Sequence, residues 1–273
     1  MRIFLQKTLA YTLDFLRRNL VPDKLFFRAA FPIEESIPAE RPSAFRRVYR
    51  FGRTVAFCLA WYFFLLSISG VIIYRFIPPS ITALMVMRTV EKIGEGKKPV
   101  FRKQWVPIGK ISPNMVLAVV SSEDNRFTEH FGFDLQAIQD AQEQAKHRHR
   151  LRGASTISQQ TAKNVFLWPS RSYIRKGLEA YYTILIEVFW SKKRIMEVYL
   201  NEIEMGDGIY GAEAASRYYF HKPAEKLTRS EAALIAAVLP NPIRWRPDKP
   251  SNYVLRRQDW ILWNMNNIDK VDL

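Results

Sequence analysis

The sequence predicts a mainly α-helical protein: one N-terminal transmembrane helix followed by a single helical domain. Three observations carry this reading. A 21-residue run, TVAFCLAWYFFLLSISGVIIY from Thr54 to Tyr74, holds no charged side chain. Beyond Ser112 apolar residues recur at helical spacing, and alternating strand patterns are scarce. At 273 residues and 48% hydrophobic composition, without repeats or low-complexity tracts, the chain can bury one core. The expected divisions are an N-terminal segment over 1–53, a span over 54–74 and an exported domain over 75–273.

Taken in order, Leu5, Leu9, Leu13, Leu16 and Leu20 recur at helical spacing, with Arg2, Lys7, Arg17 and Arg18 elsewhere on the same helix. This pattern suits a helix lying on the inner leaflet or a short packed hairpin. Prolines and charges make Pro32 to Pro42 a linker. The uncharged run would be about 31 Å long as a helix, close to the hydrocarbon thickness of a bilayer. Core helices seldom run that far without a polar face. A cleaved signal peptide does not fit a run that starts about fifty residues in. Arg41, Arg46, Arg47, Arg50 and Arg53 crowd its N-terminal side, against Arg75 and Arg88 on the other. By the positive-inside rule the N-terminus is cytoplasmic and everything after Tyr74 lies outside. Pro78-Pro79 then stops the helix. Ile81 to Glu91 reads as an apolar helix at the membrane surface, a second contact with the outer leaflet. MVLAVVSSED, LEAYYTILIEVFW, KKRIMEVYLN and EAALIAAVLP read as successive helices.

Composition excludes several chemistries. The only cysteine, Cys58, lies within the span, so the exported part has neither a disulfide nor a cysteine nucleophile. His130, His147, His149 and His221 do not show zinc spacing. The net charge of +15 needs an acidic partner. For an outward-facing domain, anionic lipid headgroups and a diphosphate substrate suit it better than nucleic acid.

Four polar blocks carry the chemistry: SSEDNRFTEHFGFD (Ser121 to Asp134), RGASTISQQTAKN (Arg152 to Asn164), RSYIRKGLE (Arg171 to Glu179) and KKRIMEVYLNEIEMGDGIYG (Lys192 to Gly211). Glu123-Asp124 ends an apolar helix, where one carboxylate can be desolvated as a base while the other stays ionised as an orienter. The alternative is a solvated surface pair. Ser155, Thr156, Ser158, Gln159, Gln160 and Lys163 either cap a helix or bind a multi-oxygen ligand such as a sugar or diphosphate. Arg171, Arg175 and Lys176 form a cationic strip that fits a diphosphate leaving group. Alternatively Arg175 and Lys176 pair with Glu179 along one helix. Asn201 with Gly206, Gly208 and Gly211 marks close backbone packing near the site or an ordinary helix-ending loop.

Together these blocks resemble the peptidoglycan glycosyltransferases, glycosyltransferase family 51. ED-x-x-F-x-x-H-x-G, G-x-S-T-I-x-Q-Q, R-K-x-x-E and K-x-x-I-x-x-x-Y-L-N occur intact and in order, and R-x-x-x-V-L is matched loosely by Arg257 to Leu262, with Ile261 for valine. The similarity runs from about Pro78 to the C-terminus and is strongest to the monofunctional, membrane-anchored type of Gram-negative bacteria. No Ser-x-x-Lys or Lys-Thr-Gly of a transpeptidase is present. One departure is His221 before Lys222, where glycine is usual.

The resemblance implies a lysozyme-like helical fold with a membrane-embedded jaw lobe, anchored in the inner membrane with its catalytic domain in the periplasm. It implies polymerisation of lipid II. Glu123 would be the general base. Lys163, Arg171 and Arg175 would neutralise the donor diphosphate, with a divalent cation (Mg or Mn) admitted there and no organic cofactor. Glu179 would orient the diphosphate, its cation or the acceptor, with Lys176 beside it. Ser155, Thr156, Gln159 and Gln160 would line the donor side, and Asp124 and Asn201 would hold the architecture. The implied partners are lipid II, the growing glycan chain, membrane lipids and other cell-wall synthesis or division proteins, without nucleic acid. A lysozyme-like lytic enzyme is the nearest rival, since it also needs a glutamate among helices, but it has no use for the cations. A non-enzymatic cell-wall anchor would leave the polar blocks without purpose.

Overall fold

The structure, a computed structural model, describes residues 44–147, 155–170 and 172–268, with 271 and 273. The N-terminal leucine pattern and the Pro32–Pro42 linker lie outside the described residues. The chain forms two compact units, Met1–Leu59 and Ala60–Leu273. The described part of the first, residues 44–59, is helical throughout.

Helix α1 (Ala44–Phe76) contains the predicted span and extends beyond it at both ends. Its stretch Val48–Phe76 is long and apolar enough to cross a bilayer, and only 11% of its most apolar window is covered by protein. A core helix of that composition would be mostly covered. The helix ends ahead of Pro78-Pro79, as proline lacks the N–H needed to continue it. Three side chains hold its C-terminal end within the second unit. Trp190 Nε1 donates to the Val71 carbonyl at 2.8 Å. Arg194 Nη2 reaches the carbonyls of Tyr74 (2.8 Å) and Ile77 (3.2 Å). Lys103 Nζ binds those of Pro79 (2.7 Å) and Ser80 (3.1 Å) while paired with buried Glu202 at 2.6 Å. Helix α2 (Ala83–Gly94) is the predicted apolar helix beside the span, and Val86, Met87, Val90 and Ile93 stand exposed on it.

The core is built around α3 (Pro113–Glu123), which is buried over most of its surface. Apolar residues such as Met115, Ala118 and Val119 clothe it on several sides, as befits a central helix. Helices α9 (Arg229–Val238) and α10 (Asn252–Asn267) pack on α3. On the other flank α5 (Ile157–Phe166) packs against α6 (Tyr173–Phe189) and α7 (Lys192–Glu202). Helices α4 (Leu135–His147) and α8 (Ala212–Phe220) complete the set. Six of these helices open on a serine or threonine whose oxygen accepts a backbone N–H: Ser112, Thr156, Ser172, Ser191, Thr228 and Ser251. Such a cap satisfies one of the donors that every helix start leaves over.

A small sheet was not foreseen. Strands β1 (Arg102–Lys103), β2 (Glu204–Gly206) and β3 (Ile209–Tyr210) pair in the order β1-β3-β2, with β1 parallel and β2 antiparallel to β3. The glycine-rich segment after α7 is therefore a buried hairpin. At Gly208, φ is +75°, and a Cβ would meet the Val100 carbonyl oxygen at 1.9 Å, so only glycine fits that approach. His221, which stands where glycine is usual, caps α8 with φ of 55°. It is the only described non-glycine residue with positive φ, in a conformation glycine takes without strain.

Candidate active site

Helix α3 ends at Glu123, and the central position of that helix carries the carboxylate into a partly enclosed site where its side chain is 15% exposed. Gln160 Nε2 donates to Glu123 Oε2 at 2.9 Å. The other face of the Gln160 amide accepts from the Tyr199 hydroxyl at 3.3 Å. Tyr199 is buried, and its hydroxyl is held well above the usual tyrosine range by burial and by the neighbouring Glu123 and Asp124 charges. It therefore stays a donor, which fixes the amide with its NH₂ towards the carboxylate. Arg257 Nη2 lies 3.6 Å from Glu123 Oε1. Burial pushes the Glu123 carboxyl above its ordinary value, opposed by the Gln160 hydrogen bond and the Arg257 and Lys163 charges.

Asp124 is occupied with architecture. Its Oδ2 accepts from the Ile157 amide at 3.0 Å, tying the end of α3 to the start of α5, and its Oδ1 meets His130 Nε2 at 2.9 Å. Helix α5 divides its polar block by face. Thr156 and Gln159 form a capping box, and the Thr156 hydroxyl donates to the Gly132 carbonyl at 2.7 Å. One residue on, Gln160 and Lys163 turn towards the glutamates, three apart on one face. Of the two readings of this block, the helix cap holds for Thr156 and Gln159, while Gln160 and Lys163 are the residues that face the glutamates. Ser155 is exposed ahead of the helix, and Ser158 is buried in a hydrogen bond to Glu187.

Lys163 makes no hydrogen bond or ion pair among the described residues. Burial lowers its ammonium below the usual lysine value, with Glu179 opposing and Arg175 and Lys176 adding to the fall. Glu179 is buried on α6, where Arg175 Nη1 donates to its Oε2 at 2.8 Å and Lys176 pairs with its Oε1. The pairing of both cations with Glu179 along one helix thus occurs, and it coexists with their position beside Lys163. Arg175 Nε and Arg257 Nε are both buried without an acceptor among the described residues. Arg171 lies outside the described residues. Asn201 stands away from this cluster: buried, it brackets Val106 by accepting from its amide and donating to its carbonyl, both at 2.9 Å.

Residues 89–266 match the family described as Transglycosylase. The chain belongs to that family. The match covers Glu123, Gln160, Lys163, Glu179 and Arg257. Over 230 residues the chain is 54% identical to the biosynthetic peptidoglycan transglycosylase of Bacteroides thetaiotaomicron, covering 84% of this chain and 91% of the relative. Proteins of the same name from Bdellovibrio bacteriovorus (56% over 200 residues; 73% and 80% covered) and Caulobacter vibrioides (53% over 212; 76% and 90%) are similarly close.

The sequence resemblance leads to the expectation of a divalent cation, and the described residues offer one cluster of candidate ligands. Asp124, His130 and Asp134 bring ligand atoms within 4.8 Å of one another. Asp124 is already bonded through both oxygens, and Asp134 is held by the Arg126 guanidinium and the Ala137 amide at 2.8 Å. These carboxylates are committed to the fold and balanced by a cation, so the cluster does not fit a metal. At the site proper, Glu179 is the one carboxylate beside the cationic strip, and it too is paired twice. His130, which stands at a spacing that could wall the site, and Tyr199 were visible within the quoted motifs, but their partners Asp124 and Gln160 were not legible from spacing; Arg257 is a further neighbour of Glu123. Arg257 was visible only as the first residue of a loosely matched fifth motif.

Proposed function

We propose that this chain is a peptidoglycan glycosyltransferase that polymerises lipid II into β-1,4 glycan strands, with Glu123 as general base. The Glu123 carboxylate takes the proton from the 4-hydroxyl of the acceptor GlcNAc. That oxygen bonds to C1 of the donor muramyl unit as the C1–O bond to the diphosphate breaks. Undecaprenyl diphosphate leaves with the bonding pair, and the anomeric centre inverts from α to β. Lys163 on α5, with Arg175 and Lys176 on α6 and with Arg171, meets the negative charge that grows on the diphosphate oxygens. Glu179 orients these cations. A Mg or Mn ion would arrive with the diphosphate, and no step here depends on it.

The observation that supports this reading best is the pairing of a partly buried, amide-held carboxylate with a lysine that, among the described residues, makes no hydrogen bond and lies under the influence of both glutamates. A lytic glycosidase needs the first but has no use for the second. Helix α1 would anchor the enzyme in the inner membrane with the N-terminus cytoplasmic and residues beyond it periplasmic. The exposed apolar face of α2 would enter the outer leaflet as the jaw. Incubating the full-length protein with lipid II tests the reading. Glycan polymer is expected; cleavage of preformed glycan, or no reaction, overturns it.

A further inference from the structure

The face of α10 beside Glu123 is cationic and aromatic, and the proposed catalytic step leaves most of it unused. Tyr253, Arg256, Arg257 and Trp260 follow one another at the spacing of a single helix face, over about 10 Å of its axis. They line a groove of about 300 Å³. Arg257 joins that groove to the base. Its Nη2 lies 3.6 Å from Glu123 Oε1, and its guanidinium carbon lies 6.0 Å from the centre of the Trp260 ring. Tyr253 is 48% exposed, yet its ring is backed at 5.0 Å by Trp245, which packs on the core. Arg256 is exposed and, among the described residues, makes no hydrogen bond or ion pair. Arg175, Arg194 and Arg217 differ, each being paired with a glutamate on its own helix. Asp259, three residues beyond Arg256, is exposed and does not bond it.

We infer that this groove binds the acidic peptide carried by the muramyl unit of the acceptor. The inference rests on the function proposed above and adds a contact that selects substrate away from the reacting atoms. Lipid II bears a short peptide on the lactyl group of its muramyl sugar, and that peptide has free carboxylates. The attacking hydroxyl belongs to the neighbouring GlcNAc, so the peptide begins one sugar away from Glu123. The groove begins beside the same residue, because Arg257 lines it and also approaches the carboxylate. An unpaired guanidinium matches a peptide carboxylate in charge and in its planar fork of donors. Tyr253 and Trp260 offer flat apolar faces for the rest of the peptide at little cost in conformational freedom. The donor diphosphate has its own cations on α5 and α6, which leaves Arg256 for a different anion.

The test uses the full-length protein in detergent and two lipid II substrates, identical except that the peptide carboxylates of one are amidated. The wild type should show a KM lower by about two- to fivefold for the acidic substrate, the scale of a part-exposed charge pair. Arg256→Gln should bring the two KM values together by raising the acidic one, and Arg256→Glu should reverse the preference. Arg256 is exposed and unpaired among the described residues, so both variants should fold as the wild type does. A wild type indifferent to amidation, or a preference preserved in Arg256→Gln, overturns the inference. An equal rise in KM for both substrates in Arg256→Gln would mean that the groove holds sugar, and overturns it too. Failure of the wild type to polymerise either substrate would instead sink the function on which it rests. A second measurement needs no turnover. Lipid II with a photoreactive group in its peptide should label α10 between Tyr253 and Trp260. Free acidic muramyl peptide should suppress that labelling more strongly than its amidated form. Equal suppression by the two, or labelling confined to other helices, counts against the assignment.

Discussion

Glu123 and Glu179 are both carboxylates at helical positions, Glu179 buried and Glu123 partly so, and both act on the same lysine, Lys163. They differ in what touches them. Glu123 receives one neutral amide hydrogen bond and a guanidinium at 3.6 Å, while Glu179 is gripped directly by Arg175 and Lys176. A carboxylate held by an amide can take up a proton at small cost, because the amide bonds either form. One held by two cations would leave them unbalanced on protonation. On the proposed mechanism the same residue type serves as a proton acceptor in one place and a fixed counter-charge in the other, and the difference lies in their surroundings.

The largest expected effect breaks that comparison directly. Glu123→Gln keeps shape and hydrogen bonding but removes the base, so kcat should fall by about 10²–10⁴ with lipid II binding retained, as read by single-turnover polymerisation beside a binding assay. Glu179→Gln should instead raise KM, since it frees two cations from their partner. An equal loss of kcat at constant KM in Glu179→Gln would reverse the two roles.

Next in size is Lys163→Ala, which removes the charge both glutamates share. Losing one charge-assisted contact to a diphosphate is worth roughly ten- to a hundred-fold, and should appear in the donor KM. Donor kinetics within twofold of wild type would remove Lys163 from the diphosphate site.

The pH profile sharpens the comparison further. A base whose carboxyl is raised becomes protonated while the pH is still above the ordinary glutamate range, so the acid limb should lie higher than for an exposed glutamate. Lys163, whose ammonium is lowered, should lose its proton below the ordinary lysine range and set the alkaline limb. Lys163→Arg should carry that limb upward and leave the acid limb in place. An alkaline limb that does not move assigns it to another group.

The smallest effect belongs to Gln160→Met. It removes the hydrogen bond that favours ionised Glu123, so the acid limb should shift to higher pH by a fraction of a unit to one unit. A shift to lower pH would contradict the placement of the amide.

The helices read from the sequence were legible through their apolar period, and several also carry a local start in a serine or threonine cap. Ser112-Pro113 and the Thr228–Glu231 capping box are instances. The sheet was not legible, as two- and three-residue strands cannot show alternation and Gly208 fits only through contact with Val100, 108 positions earlier in sequence. At the site, the residues themselves were visible in their blocks, yet their division of labour was not. Nothing in STISQQ distinguishes Gln159, which closes a helix cap, from Gln160, which holds the base; only the turn of α5 does. Arg257 joins Glu123 from a helix 134 positions on, beyond the reach of local spacing. The buried Lys103–Glu202 pair escaped for the same reason.

That pair, with Arg194 and Trp190, fastens the C-terminal end of α1 and the turn after it through five backbone carbonyls, from Val71 to Ser80. An anchor fixed in this way behaves mechanically as a post set in a footing, where a flexible tether would let the catalytic unit float at any height. Vertical displacement of the helix therefore carries the catalytic unit with it. A bilayer too thick or too thin for the apolar stretch relieves its mismatch by tilting or shifting the helix. Through those five carbonyls the strain would reach the enzyme as a change in its height above the lipid surface, making membrane thickness a quantity the protein can feel.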